Sequence, residues 1–579
     1  GILMAKTLRL TAKDLKNAAK LENFRVLSDY SLEKRCGTKL LHTFAGKIRG
    51  GCSANIGGTE SIFVVAGSTL YRISPALISD TSAENAVTSL GTIAGTFDAS
   101  HGEYVELYMF AGSLFILGGG ELSKYDGTSV SKVAGYVPLI RRRGSNTRPG
   151  ALYERRNLLT KQVRVTLNTI NTSSVYWLGK GIESVDKVLI DGVAITDWTW
   201  SPTTYNTSLT FDRTFANNDE EPLEVWYTLK DDCRSRVTSC RHSAVYGGDT
   251  DSRVFLYGGN ERSVIFPSEP SGALEGQVIS GEYFPEGADI TVADGNPAVS
   301  GAVRQFDRLA IFTEDGAFYT YPHDDGLVNE IPRFSFPILP LNSDVGATKA
   351  GGAVLLENEP YALDPTGLYR FKSTSVRDER LAVRVEAPDH VGLTSDFIAN
   401  CILFTDKLRG ELWCCHGGKI VIYNARLDCW YRFTGIDADG VFSAGADCFF
   451  KGTKLYAFDD NLRTDLGTAY SALCESMPLD FGDPFERKTL CEVGISVSRE
   501  GGAKTGLSVT SDTGGKVSFD FTVPEETAAN GETPKTLSPR IFTAHARLGR
   551  FRHIKVSVTS PAVDEPLTVR EVMLSCQEG

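Results

Sequence analysis

Three pairs of adjacent aspartates are the side chains of this sequence best suited by type to acid–base chemistry. They are Asp231-Asp232, Asp324-Asp325 and Asp459-Asp460. Cleavage of a sugar linkage needs two carboxyl groups about 5–10 Å apart in one cleft. Neighbouring residues of a strand point to opposite faces, so adjacent carboxylates diverge. We therefore interpret the pairs as solvated turns.

Other catalytic and metal-binding patterns are incomplete. Cys414-Cys415-His416 lacks the second pair of ligands that structural zinc requires, so we interpret it as buried thiols. Thr510 to Gly514 matches the front half of the Asp-box of sialidase-like propellers but lacks its Trp, which favours a simple hairpin turn. HExxH, GxSxG, P-loop and Rossmann motifs are absent from the sequence. The sequence thus predicts no enzyme, no catalytic residue, no cofactor and no metal. A Ser-His-Asp triad stays open, because its three residues have no fixed spacing in sequence.

The densest basic run is Arg141-Arg142-Arg143, followed by Arg148. Arginine suits phosphate contact in a DNA channel and equally suits a salt-bridged seam between subunits. A solvated linker beside an inserted domain is the third interpretation. We predict these four arginines as contacts with DNA or with a neighbouring subunit.

Charge and cysteine usage restrict the class of protein. The 579-residue chain has a net charge of −12, which argues against a dedicated nucleic-acid binder but not against a conduit through which DNA slides. The 12 cysteines form no CxxC pair and lie in apolar runs, as expected for folding in a reducing cytosol. No apolar stretch reaches 18 residues, so we expect no membrane span, and Gly1 to Met4 do not begin a signal peptide.

One pattern recurs along the chain, a hydrophobic strand, a tight turn and a returning strand rich in Tyr or Phe. It predicts β-hairpins, mostly 40–60 residues apart, which is close to the repeat length of a propeller blade. We count about six or seven blades, within the range of propellers. Unrelated sandwich hairpins are the alternative. The hairpin strands begin at Ile62, Leu114, Val254, Leu309, Val354, Leu412 and Lys454.

Three segments depart from this pattern. Leu15, Ala18 and Leu21 recur at helical spacing after Thr11, which predicts a short helix over 12–22. Alternating strands around the Asp191-Gly192 turn predict a small inserted β-domain. Period-2 strands after Leu479 predict a C-terminal β-sandwich, interrupted by a long exposed loop over 524–539.

The predicted fold class is therefore all-β: a β-propeller with an inserted small β-domain, a C-terminal β-sandwich and a short N-terminal helix. The predicted domains are a helical segment over 1–23, first blades over 24–154, an inserted domain over 155–230, remaining blades over 231–474, and a sandwich over 475–579.

Several short motifs, in their order along most of the chain, resemble a known family. They include Lys34-Arg35-Cys36-Gly37-Thr38, Ile190-Asp191-Gly192-Val193, Phe255 to Asn260, Trp413 to Lys419 and Leu479 to Pro484. Together they resemble the tail nozzle proteins of short-tailed bacteriophages. Cys36 departs from the residue that is more usual before Gly-Thr in that family.

The resemblance implies a structural virion protein made in the host bacterial cytoplasm and placed in the tail. It implies a ring of subunits, commonly six, that retains double-stranded DNA and then conducts it without sequence preference. The implied partners are the adaptor of the head-to-tail junction and the tail fibres or spikes. Two alternatives stay open, a glycan-binding receptor propeller of a phage tail and a glycan-cleaving propeller enzyme.

Overall fold

The structure is a computed structural model that describes residues 5–15, 18–248, 251–274, 277–328, 331–373, 380–502, 504–524 and 537–578. Almost every regular element is a β-strand. The strands form a β-propeller, an inserted β-domain and a C-terminal β-sandwich, so the predicted all-β fold class is confirmed.

The described residues contain seven four-stranded antiparallel blades. Blade 1 holds Ile48–Ile56, Thr59–Ala66, Thr69–Ile73 and Val87–Thr92; blade 2 holds Glu106–Phe110, Ser113–Gly118, Glu121–Tyr125 and Val130–Lys132. Blade 3 holds His242–Tyr246, Arg253–Tyr257, Val264–Pro267 and Ile290–Thr291; blade 4 holds Val299–Gln305, Arg308–Thr313, Ala317–Thr320 and Leu339–Asn342. Blade 5 holds Ala353–Leu356, Glu359–Asp364, Gly367–Ser373 and Arg380–Val385; blade 6 holds Ile402–Asp406, Glu411–His416, Lys419–Asn424 and Cys429–Thr434. Blade 7 holds Gly440–Ser443, Asp447–Lys451, Lys454–Asp459 and, from the N-terminal part of the chain, Gly37–Thr43.

The blades close into a ring around one axis. The first strand of each blade contacts the first strand of the next, and the first strand of blade 7 contacts that of blade 1. This last seam is tight, because a Cβ on Gly51 would lie 2.5 Å from Cε1 of Phe442. Six of the seven seams bury an apolar cluster of their own, as expected for blades that cannot cover their faces alone, and the seam between blades 6 and 7 shares the apolar core of the sandwich.

Both ends of the chain build the sandwich, which differs from the predicted domain boundaries. One sheet orders Phe24–Val26, Leu32–Lys34, Thr568–Glu578, Lys488–Val497 and Arg540–Phe551, with Ala5–Leu10 also on Thr568–Glu578. The other orders Lys20–Glu22, Ala472–Glu475, Ile554–Ser560, Lys504–Ser511 and Lys516–Thr522. Because Lys20–Glu22 also pairs with the last strand of blade 6, sandwich and propeller share one continuous sheet. Most of the predicted loop over 524–539 lies outside the described residues.

The predicted helix over 12–22 is wrong in the part of this range that the structure describes. Residues 12–15 form a single turn in which the Leu15 N–H donates to the Thr11 carbonyl, and Lys20–Glu22 is a strand. Leu15, Ala18 and Leu21 are buried in the sandwich core. A helix this short is marginal in water, whereas pairing in a sheet satisfies the backbone and buries the same apolar side chains.

Three elements project from the blades. The inserted domain between blades 2 and 3 has one sheet of Ala151–Leu152, Leu139–Gly144, Gln162–Thr169, Asn218–Leu229, Ile182–Ile190 and Val193–Ile195, and another of Val175–Gly179, Thr207–Phe211 and Trp198–Pro202. Blade 3 carries the hairpin Gly272–Leu274 and Gln277–Ile279. Blade 4 carries the hairpin His323–Val328 and Ile331–Ser335, called here the blade-4 hairpin.

Helices are few and short in the described chain. They are the α-helices Ala76–Ser79, Arg234–Thr238 and Ser395–Asn400, and the 3-10 helix Asp389–Val391. Thr394 caps the third, its hydroxyl accepting from the Phe397 N–H at 3.2 Å. The second connects the inserted domain to blade 3 and helps to line the cavity described next.

Candidate functional site

A cavity of about 510 Å³ opens at the face of the propeller where the first strands begin. In an antiparallel blade the start of the first strand and the turn between the second and third strands lie at the same edge. Such residues of blades 2, 3, 4 and 5 therefore meet here, and we call this space the face cavity. Its charged and imidazole side chains are His101, Arg241, Arg262, Glu314 and Lys349.

Two of these side chains are held by a carboxylate. Arg262 donates to both oxygens of Glu314 through Nη2, at 2.9 and 3.1 Å. Nδ1 of His101 lies 2.9 Å from Oδ1 of Asp98, and hydrogen bonds from His101 hold the pKa of Asp98 below its usual value. The single carboxylate that lines the cavity is therefore already bound to an arginine.

The other two cations have no carboxylate partner among the described residues. Arg241 donates from Nη2 to the Ser100 carbonyl at 3.2 Å. Lys349 is half-buried, and this burial lowers the pKa of its ammonium group. A cation without a counter-ion in a concave site favours the binding of an anion.

Beside the cavity, the first residue of blade 2 is bound to the first residues of blade 3. Oε2 of Glu106 lies 3.0 Å from Nδ1 of His242, and Oε1 accepts from the backbone N–H of Ser243 at 2.6 Å. The His242 ring stacks on Tyr257. Both carboxylate oxygens of Glu106 are therefore bound by residues of blade 3. These contacts hold blades 2 and 3 together.

A buried charge cluster lies at the opposite face, where the N-terminal segment crosses blades 6 and 7. Glu411 accepts a hydrogen bond from Nη2 of Arg25 at 3.2 Å, from the Trp413 indole at 2.8 Å and from the Tyr431 hydroxyl at 2.5 Å. Arg25 and Glu411 are almost fully buried, which makes this pair a strong orientational constraint.

Asp447 belongs to the same cluster. Arg409 bridges Asp406 at 2.8 Å and Asp447 at 3.1 Å. Burial, together with the negative charge of Asp406, raises the pKa of Asp447 to about 7. A carboxyl group with a raised pKa beside a second carboxylate resembles a catalytic pair, yet the two flank an arginine inside the joint between blades.

The predicted arginines lie at the base of the inserted domain. Nη1 of Arg141 donates to the Gly150 carbonyl at 2.9 Å, and the Arg142 guanidinium lies over the Tyr153 ring, 4.6 Å from its centroid. Arg143 and Arg148 are exposed. Arg141 and Arg142 thus support the local turn. A contact of any of the four with DNA or a neighbouring subunit stays a prediction.

None of the acidic pairs or cysteines lines the face cavity. Asp231 accepts from Arg156 at 3.3 Å, and Asp324 and Asp325 lie on the blade-4 hairpin. Asp459 binds Lys39 at 2.8 Å. Cys414 and Cys415 are fully buried strand residues, and all 12 cysteines are free.

Over the described ranges, no three His, Cys, Asp or Glu side chains group as a metal site. Nor does any helix in those ranges have the length and apolar character needed to cross a membrane.

Sequence reasoning missed the cavity residues and explained one motif only by resemblance. Arg241, Arg262 and Lys349 are 21 and 87 residues apart in sequence; the fold of blade 3 brings the first two together, and the packing of blades 3, 4 and 5 brings Lys349 beside them. No local spacing could have found them.

The Arg35 to Thr38 motif joins sandwich and propeller: Arg35 is fully buried and binds Asp465, and Gly37 is the first residue of the strand that closes blade 7.

No protein-family model matches the chain, and no curated protein matches it either. Solved structures similar to it include an exo-β-1,3-galactanase from Phanerochaete chrysosporium with galactose, at 8% identity, covering 94% of this chain and 100% of that chain, with a TM-score of 0.19. A glycoside hydrolase is 10% identical, with 92% and 100% covered and a TM-score of 0.20. The extracellular domain of a one-component system from B. thetaiotaomicron is 7% identical, with 92% and 79% covered and a TM-score of 0.24.

The glycoside hydrolases among these structures contradict our prediction that the chain is not an enzyme, and we withdraw it. TM-scores this low carry no argument for a particular activity. The chain itself is a seven-bladed β-propeller protein with an inserted domain and a sandwich, and its resemblance to phage tail nozzles stays a prediction.

Proposed function

We propose that the protein is a subunit of an oligomeric ring in the tail of a short-tailed bacteriophage, as a nozzle through which DNA leaves. The observation that carries the proposal is the placement of exposed large apolar side chains on the elements added to the propeller. These are Leu152, Val193 and Tyr205 of the inserted domain, Val278 of the blade-3 hairpin, and Leu327, Val328 and Phe334 of the blade-4 hairpin. Apolar side chains on projections suit burial against another chain.

The blade-4 hairpin shows this most clearly. Every residue of His323–Val328 is exposed, and Leu327 is 71% exposed. The hairpin is anchored close to this apolar end, because Arg333, which pairs with Gly326, donates from Nη2 to the Tyr153 carbonyl at 3.0 Å. An apolar hairpin end that is held in place by such a hydrogen bond suits a contact between subunits.

The closed propeller supports the proposal because a ring that carries load needs rigid subunits. Gly37–Thr43 joins blade 7 far from its neighbours in sequence, and the sandwich joins both ends of the chain. Copies related by rotation would then close a tube through heterologous contacts. In this proposal the four predicted arginines lie at a subunit seam or beside DNA, and the adaptor and the fibres or spikes bind at the ends of the tube.

Electron microscopy of the purified protein and of the virion that carries it tests the proposal. We expect a ring, commonly six-fold, in the tail. The triple change L327S, V328S and F334S should leave the thermal unfolding temperature nearly unchanged and abolish the ring. L408S is the matched control, because Leu408 is 81% exposed but lies on blade 6. A monomer in solution together with absence from the virion would refute the proposal.

A glycan-recognising propeller, with or without cleavage, is the second candidate function, favoured by the face cavity. Concave sites with a few convergent polar groups are typical ligand sites. A glycan array, together with hydrolysis assays on host surface polysaccharide, tests this candidate. Glycan binding or cleavage would support this candidate if it persists in the triple variant L327S, V328S and F334S. Neither binding nor cleavage in the two assays would refute it.

A further inference from the structure

The face cavity is electropositive although the chain is acidic. Its lining contains Arg241, Arg262 and Lys349 against one carboxylate, that of Glu314, while the whole chain has a net charge of −12. Since Glu314 is bound to Arg262, the positive charges of Arg241 and Lys349 remain uncompensated by any carboxylate of the described residues. A concave wall of low dielectric strengthens the attraction of such charges for an anion.

The same lining is rich in hydroxyl groups. Thr238 donates to the Arg234 carbonyl and Ser300 to the Phe312 carbonyl, at 3.2 and 3.3 Å. Each hydroxyl oxygen therefore keeps a lone pair that can accept a hydrogen bond from a ligand. Ser235, Ser239 and Asn260 add further polar groups.

Glycine keeps the cavity open. A Cβ on Gly259 would lie 2.7 Å from Oγ of Ser239, and a Cβ on Gly120 would lie 2.8 Å from the His101 ring. Both glycines line the cavity, whose volume of about 510 Å³ is within the range of small-ligand sites.

We propose that the face cavity binds an acidic sugar residue of an anionic glycan. The sugar carboxylate pairs with Lys349 and Arg241, and ring hydroxyls donate to Thr238 and Ser300. Inorganic phosphate would pair with the same cations but offers at most two hydroxyl donors and no sugar ring, so it would fill less of the cavity. This inference names the ligand class of the second candidate function and rests on it, and it is independent of ring assembly.

Isothermal titration calorimetry with tetragalacturonate tests the site, with a neutral galactose tetrasaccharide and inorganic phosphate as comparison ligands. We expect tetragalacturonate to bind and the neutral sugar to bind at least about tenfold more weakly. Lys349→Met should weaken tetragalacturonate binding by about tenfold or more, and R241A should do the same. Lys504→Ala, on an exposed strand residue of the sandwich, is the matched control and should leave the affinity unchanged.

Near-ultraviolet circular dichroism of each variant verifies that the fold is kept. Preference for the neutral sugar, or phosphate binding as tight as tetragalacturonate binding, would overturn the acidic-sugar inference while leaving glycan recognition or ring assembly standing. No binding of any of the three ligands would overturn the inference, and the glycan array would then decide the second candidate separately.

Discussion

The Arg35 guanidinium donates two hydrogen bonds to the Asp465 carboxylate, Nη1–Oδ1 at 2.9 Å and Nη2–Oδ2 at 2.5 Å, although 430 residues separate the two side chains in sequence. Arg35 is completely buried and also lies over the Tyr470 ring, 3.7 Å from its centroid. Its remaining donors bind the carbonyls of Cys36 and Thr434 and the side-chain oxygen of Asn23. This one side chain therefore ties the N-terminal segment to blades 6 and 7.

Removal of the Arg35–Asp465 ion pair should destabilise the protein strongly. R35A leaves Asp465 without its cation, and breaking a buried pair in this way typically costs about 3–5 kcal/mol. We expect a lower midpoint in urea unfolding. K47A removes the half-buried partner of the exposed Glu103, and because such a pair is screened by solvent it should lower the midpoint far less than R35A does. Equal midpoints for R35A and K47A would contradict this account of the joint.

Gly37 should tolerate no side chain. A Cβ at this position would lie 2.2 Å from the Thr464 carbonyl oxygen, and both atoms belong to the joint between blade 7 and the sandwich. G37A should lower the thermal unfolding temperature by several degrees or prevent folding. G549A is the control, since a Cβ there meets nothing within 4 Å. If G37A is as stable as the wild type, the backbone around Thr464 can move to accept the extra methyl group.

Asp447 should make stability fall as the pH rises. Burial raises its folded pKa to about 7, well above the usual value of an aspartate, so the folded state holds this proton more tightly than the unfolded state. The stability gained from that proton is complete below about pH 4 and lost as the pH rises through 7. The slope reaches on the order of 1.4 kcal/mol per pH unit.

Urea unfolding at pH 5 and pH 8 measures this slope. D447N keeps an acceptor for Arg409 without the titration, so its two stabilities should lie closer together than those of the wild type. D437N, at an exposed partner of Lys451, should keep the wild-type difference. If D447N shows the same difference in unfolding free energy between pH 5 and pH 8 as the wild type, another group causes the slope.

The cysteines should differ widely in reactivity towards a thiol reagent. Burial raises the pKa of Cys36 to about 11 and those of Cys448 and Cys474 to about 12, which suppresses their thiolates at neutral pH. In the native protein, Ellman's reagent should modify at most the half-buried Cys233 and Cys491 quickly, since burial also raises the pKa of Cys52 to about 12. After denaturation it should modify all 12 cysteines. Rapid native modification of Cys448 would show that the seam between blades 7 and 1 opens.

The hairpins could be predicted from sequence because each is a local pattern. Leu309 to Phe312 and the return at Phe318-Tyr319 are second and third strands of blade 4, as their turn signals indicated. The N-terminal segment could not be, because helical spacing at Leu15, Ala18 and Leu21 is also satisfied by burial in a sandwich whose other strands come from the far end of the chain. The face cavity depends in the same way on the packing of four consecutive blades, which no single segment encodes.

Strand Gly37–Thr43 emerges from the ribosome about 400 residues before its partner Lys454–Asp459. Through most of synthesis it is therefore an unpaired edge, open to association with other nascent chains. The order of translation thus gives this protein a long vulnerable interval, and its yield in cells should depend on chaperones that shield the first 43 residues.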